Sequence, residues 1–123
     1  MYKYSYVLII LMGLSTILTL GQTNVKIKSE KFVVYGKCDM CKMRIDSAAK
    51  NTYGVMVASW DINSNIINVV FNTQKTNLDS IHLSISKMGY RTDEITADST
   101  GYHKLPGCCQ SEDAFVNPKS DNK

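Results

Sequence analysis

A chain of 123 residues, with 14 Lys and Arg against 11 Asp and Glu, can bury one small hydrophobic core with short appendages, not two. Its net charge is only +3, and basic and acidic residues alternate along most of its length. A binder of phosphate backbones would show a basic stripe, so no nucleic acid is expected as a partner.

Residues 1–21 differ in kind from everything after them. Met1, Tyr2 and Lys3 make a short, weakly basic start, residues 7–20 are mostly Leu, Ile and Val, and Thr19-Leu20-Gly21 offers small residues before Gln22. This is the pattern of a secretory signal peptide. The apolar run is about 14 residues, against roughly 20 for a helix that crosses a bilayer. An uncleaved anchor is the competing reading, and through it alone would the chain touch a membrane. No cysteine follows the run, which argues against a lipid anchor. Export to a periplasm or the exterior would place the domain where disulfides form, so its four cysteines need not all be free.

Residues 22–29 read as a short linker. From there a regular order of elements is expected. Residues 31–35, rich in Val and Phe, predict a first strand, and residues 41–50 a helix with Ile45, Ala48 and Ala49 on one face. Residues 55–61 and 66–71 predict a hairpin closed by Ile62-Asn63-Ser64-Asn65, with Ile67, Val69 and Phe71 pointing inward. Thr76 and Asp79 form a capping pattern for a second helix whose buried stripe is Leu78, Ile81, Ile85 and Met88, and Gly89 suits its C-terminus. Residues 90–95 predict a short last strand. His82, on the second helix, is expected at the surface. The order βαββαβ gives an α+β, ferredoxin-like sandwich over residues 30–96: an antiparallel four-stranded sheet with two helices on one face.

Between the first strand and the first helix lies Lys37-Cys38-Asp39-Met40-Cys41-Lys42. Cys38 would stand just before the helix and Cys41 in its first turn, so both sulfurs can face one small volume near unpaired backbone N–H groups. That end of the helix dipole, with Lys37, Lys42 and Arg44 nearby, favours thiolates. A thiolate either binds a soft metal or attacks a disulfide, and the spacing alone does not choose between these. A plain Cys38–Cys41 disulfide is a third outcome.

In this order of elements the chain resembles the heavy-metal-associated domain family of copper chaperones, metal-pumping ATPase segments and periplasmic mercury-binding proteins. The resemblance rests on Cys38-Asp39-Met40-Cys41, on residues 54–60 followed by Ile67-Asn68-Val69-Val70-Phe71, and on Met88-Gly89-Tyr90. It implies that Cys38 and Cys41 are the metal-ligating pair and that Tyr90 covers the metal loop. It also implies a partner that donates or accepts metal, such as a metal-transporting ATPase or an efflux component. One departure stands out, because the family usually carries Met two places before the first cysteine and this chain has Gly36. Two soft thiolates in near-linear geometry suit Cu(I), Ag(I) and Hg(II), whereas a lone pair leaves Zn(II) short of ligands. Copper is the expected cargo, with Hg(II), Ag(I) and Zn(II) as alternatives, and the resemblance to periplasmic mercury-binding proteins keeps mercury binding as the competing function.

Residues 97–123 are polar, punctuated by Gly101, Pro106, Gly107 and Pro118, and read as a flexible, mostly irregular tail. Within it, Cys108 and Cys109, with His103, are candidate auxiliary ligands that close over the loop or hold a second ion. Pairing of one of them with a core cysteine is the alternative. Two functions follow from the residues: a metallochaperone or scavenger, and a thiol–disulfide exchange protein. The second would be expected to carry an aromatic before the first cysteine and a facing proline loop, whereas Lys37 precedes Cys38 and no proline occurs between Cys41 and Ile95. No catalytic base, nucleophile pair or phosphate loop is legible, so no enzyme activity is expected.

Overall fold

The computed structural model describes residue 21 and residues 24–120, so the signal-peptide reading falls almost wholly outside the described residues. Among the described residues no helix is long and apolar enough to cross a membrane.

Three strands, β1 (Ile27–Val33), β2 (Val55–Trp60) and β3 (Ile66–Asn72), form an antiparallel sheet in the order β1-β3-β2. β3 is central because its inward residues Ile67, Val69 and Phe71 are all buried, as the alternation predicts. β1 begins earlier than its hydrophobic residues suggest. Its polar first half, Ile27 to Glu30, pairs with Asn72 to Val69, so part of the expected linker is an edge strand that buries little.

The expected fourth strand shrinks to one antiparallel bridge, Val34 with Thr92. Thr92 is the cause. Its Oγ1 accepts from the N–H groups of Glu94 and Ile95 at 3.1 and 3.2 Å, and its own N–H donates to Ile95 O at 2.9 Å, so the chain turns back before a ladder can extend.

Helix α1 (Asp39–Lys50) starts two residues before its expected position, with Cys38 in extended conformation as N-cap and Asp39 in the first turn, where the dipole favours a carboxylate. Helix α2 (Leu78–Met88) is capped by Asn77, whose side chain accepts from Ser80 N at 2.8 Å, and ends at Gly89 with φ +108°. Ile45, Ala48 and Ala49 of α1 and Ile81 and Ile85 of α2 share one core with Phe32, Ala58, Trp60, Ile67, Val69 and Phe71. Both helices therefore cover one face of the sheet.

His82 is not at the surface. It is 2 % exposed, its ring lies 3.9 Å from that of Phe32, and Nδ1 bonds Thr92 Oγ1 at 2.8 Å. The turn at Thr92 leaves a hydroxyl facing α2, and an imidazole is the side chain that can fill apolar space while meeting it. The tail is not irregular throughout either. Asp98 caps a short helix, α3 (Ser99–Lys104), and residues 107–109 form a 3-10 turn.

Candidate metal centre

Cys38 makes no side-chain cap to α1, so its sulfur is free to face inward. Its Sγ lies 3.2 Å from that of Cys41, and Cys41, on the first turn, is fully buried in the core cluster. The expected geometry of the pair holds, but Cys41 belongs to the hydrophobic interior as much as to the loop. Beneath the loop, Trp60 occupies the space left by Gly36: a Cβ there would come within 2.8 Å of the indole Cη2 and 3.1 Å of Ile45 Cδ1. The indole is fixed by its N–H, which donates to Val34 O at 2.9 Å. Lys42, expected to support the thiolates, turns away to Asp46 at 2.9 Å and Trp60 O at 2.7 Å.

The C-terminal segment, here the arm, is built onto this end of the domain. Asp98 N donates to Ser86 O at 2.9 Å, and Ala97 N to Ala114 O at 2.8 Å. Gly101 packs so tightly on the end of α2 that a Cβ would strike the Lys87 carbonyl and approach Gly89 N to 2.9 Å. Gln110 Nε2 donates to Tyr102 O and Leu105 O, both at 3.2 Å, which closes the loop that carries the 3-10 turn. Arg91, 3 % exposed, bonds Asp113 of the arm at 3.5 Å and lies 4.2 Å from the Tyr35 ring.

This scaffolding brings Cys109 Sγ to 3.7 Å from Cys38 Sγ and leaves Cys108 Sγ 3.9 Å from Cys109 Sγ. The sulfurs of Cys38, Cys108 and Cys109 all lie within 4.8 Å of one another. All four cysteines are free thiols. His103 does not join them. It is exposed and packs edge-on to Tyr102 at 5.5 Å between ring centroids.

The electrostatics set Cys38 and Cys109 apart. Hydrogen bonding with the Cys41 thiol, then with the Cys41 backbone N–H, holds Cys38 below the usual thiol range, while its partial burial and the Cys108 charge oppose. Burial pushes Cys109 up to about 12. Tyr90, 1 % exposed, is raised first by burial and then by the thiols of Cys41 and Cys109, so it stays a phenol. Its hydroxyl makes no hydrogen bond of ordinary geometry, yet it is near enough to Cys109 to pull that thiol down against its burial. A buried donor without a settled acceptor costs about 1–3 kcal/mol, and a thiolate at Cys41 or Cys109 would supply one. Cys38 is thus the thiol held toward its anionic form, while burial keeps Cys109 protonated until something displaces its proton.

No protein-family model matches the chain, and neither does any curated protein. Solved structures do. The chain is 26% identical to the structure described as CopZ metallochaperone, covering 98% of it with 53% of itself at a TM-score of 0.51. It is also 26% identical to a copper binding domain from HMA7, a P-type ATPase, covering 88% of that domain with 52% of itself at a TM-score of 0.51. The folded core is a heavy-metal-associated-like domain. Oxidized MerP from Ralstonia metallidurans CH34, at 19% identity, 55% and 94% coverage and a TM-score of 0.53, shares the fold. Just over half of this chain accounts for nearly all of CopZ, so much of this heavy-metal-associated-like chain has no counterpart there.

Of the residues singled out in the sequence, Cys38, Cys41, Cys108, Cys109 and Tyr90 converge, and His103 does not. The role of Trp60 was not legible. Its signal was the pairing of a missing side chain at position 36 with the single Trp of the chain.

Proposed function

We propose that the protein binds a soft metal ion, Cu(I) foremost, through Cys38 and Cys41 with Cys109 as a third sulfur, and transfers or sequesters it as a binding protein rather than an enzyme. The observation that carries this reading is the approach of the arm: a thiol 71 positions away in sequence lies 3.7 Å from Cys38 in a domain that already pairs Cys38 with Cys41. Thiolates select soft, d10 ions, and three sulfurs retain Cu(I) better than two against competing thiols. The likeness to copper chaperones and copper-binding ATPase domains supports copper over mercury and points to a metal-transport protein as donor or acceptor. The signal-peptide reading of residues 1–21 would put this exchange in a periplasm or outside the cell.

Elemental analysis of protein purified under reducing, anaerobic conditions tests the reading. Copper near one per chain is expected. Zinc in its place would turn the site into a tetrahedral thiolate centre, for which the tail now supplies the ligands that two cysteines alone lack. Hg(II) bound in preference to Cu(I) in competition would make the protein a mercury scavenger.

Thiol–disulfide exchange is the second reading, favoured by the lowered Cys38 thiol beside Cys41. Rapid reduction of insulin by the dithiol form, with no copper retained, would select it.

A further inference from the structure

The sulfur atoms at this end of the domain form an unbroken chain from solvent to core. Met40 Sδ lies 3.9 Å from Cys108 Sγ, Cys108 Sγ 3.9 Å from Cys109 Sγ, Cys109 Sγ 3.7 Å from Cys38 Sγ, and Cys38 Sγ 3.2 Å from Cys41 Sγ. Exposure is greatest at the Met40 end and least at the Cys41 end, with half-buried Cys38 interrupting the fall after Cys109. Met40 is 47% exposed and Cys108 is exposed, Cys38 is half-buried, and Cys109 and Cys41 are 1% and 0% exposed. Outside Met40 the row opens into a shallow groove of about 290 Å³ lined by Met40, Met43, Arg44, Ser47 and Met88.

Neither Cys108 nor Met40 has a packing reason to be a sulfur residue. Cys108 is exposed beside a buried neighbour that already reaches the pair, and Met40 stands out from the first turn of α1. What they share is softness and contact with each other. A site with two buried sulfurs, Cys41 and Cys109, and one half-buried, Cys38, holds its ion well but leaves an incoming ligand only the narrow approach at Cys38. An outer thiol and thioether within one bond-exchange step of the inner sulfurs remove that difficulty.

We propose that Cys108 and Met40 form an exchange port through which a monovalent soft metal enters and leaves the inner site of Cys38, Cys41 and Cys109. The proposal rests on the soft-metal reading above. In each step a metal–sulfur bond to Cys108 forms, its thiol proton passes to solvent, and one inner metal–sulfur bond breaks, with that sulfur reprotonated from solvent. Met40 adds a neutral donor that needs no proton. The metal keeps its oxidation state throughout.

The test is transfer of Cu(I) from the purified, reduced protein to bicinchoninate, followed by stopped flow, together with equilibrium competition against the same chelator. Cys108→Ser and Met40→Leu are each expected to slow transfer about tenfold, equivalent to about 1.4 kcal/mol in the barrier, while equilibrium affinity moves far less. Both positions are exposed, and circular dichroism checks that the fold is kept. Wild-type transfer rates in both variants would overturn the port. An affinity loss in Cys108→Ser as large as that in Cys38→Ser would also overturn it, by making Cys108 an inner ligand. Failure of the wild-type protein to bind Cu(I) at all would instead remove the soft-metal reading, and the port with it.

Discussion

Trp60 stands in the place that a side chain at position 36 would need. A Cβ on Gly36 would lie 2.8 Å from Cη2 and 2.9 Å from Cζ2 of the indole. The resemblance to heavy-metal-associated domains places a Met at this position to support the loop from below. Here support comes from the opposite wall, and the indole N–H bond to Val34 O fixes the ring where the Met would sit.

Gly36→Met should therefore destabilise the fold, by about 1–3 kcal/mol for an overpacked core site. Trp60→Leu alone should cost a similar amount by leaving a cavity. The double variant should lose much less than the sum of the two, because the new side chain fills the old hole. Urea unfolding of the four proteins checks it, and strictly additive losses would mean that Gly36 and Trp60 do not share one space.

The helices, the hairpin and the Cys38–Cys41 pair were legible because each follows from a local pattern, the period of the apolar residues and the turn residues between them, although the cap of α2 is Asn77 and not the expected Thr76. Three features were not. Thr92 ended the fourth strand through its own hydroxyl, which turns the chain back at Ile95 just after the bridge to Val34. His82 became a core residue because Phe32 and Thr92 meet its ring from elements distant in sequence. The arm looked irregular since its order comes from Gly101 against Gly89 and from Arg91 with Asp113, both tertiary contacts that no periodicity signals. Cys108 and Cys109 were visible as candidate ligands, but their distance from Cys38 was not.

Burial lowers the pKa of His82 below its ordinary value, with Asp93, Glu94 and Asp79 opposing from nearby. In the window between the lowered folded value and the unfolded value near 6.5, the unfolded chain binds the proton and the folded one does not. Stability should then be full above that unfolded value and fall as the pH drops below it. Chemical denaturation from pH 7.5 to 5 should show this slope, and His82→Gln should flatten it. An equal slope in the variant would assign the effect to other groups.

Cys38 and Cys41 should separate when replaced by Ser, although both are in the proposed ligand pair. Cys38 is half-buried and Cys41 fully buried among apolar side chains. Both variants should lose most Cu(I) affinity in chelator competition. Cys41→Ser should in addition lose about 1–3 kcal/mol of stability in the metal-free protein, the cost of a hydroxyl placed in an apolar site. Equal metal-free stability of the two variants would mean that the Cys41 position tolerates a hydroxyl, and unchanged affinity in both would move the metal to the arm.

The contact between Gly101 and the end of α2 decides whether the arm can deliver Cys109. Because a Cβ at Gly101 meets backbone atoms of Lys87 and Gly89, no rotamer change can relieve it, and Gly101→Val should lift α3 away from α2. With α3 displaced, Cys109 leaves Cys38 while the Cys38–Cys41 pair keeps its own element, the start of α1. X-ray absorption of the copper-loaded variant should show two sulfur neighbours per copper in place of three, and chelator competition a weaker site at unchanged stoichiometry. Truncation after Asp98 should reproduce both results, which guards against a general loss of fold in Gly101→Val. A fall from two coppers per chain to one, with the remaining ion held as tightly as before, would mean that the arm carries a separate site. Unchanged coordination, stoichiometry and affinity in both variants would remove Cys109 from metal binding altogether and leave the arm a structural or partner-docking role.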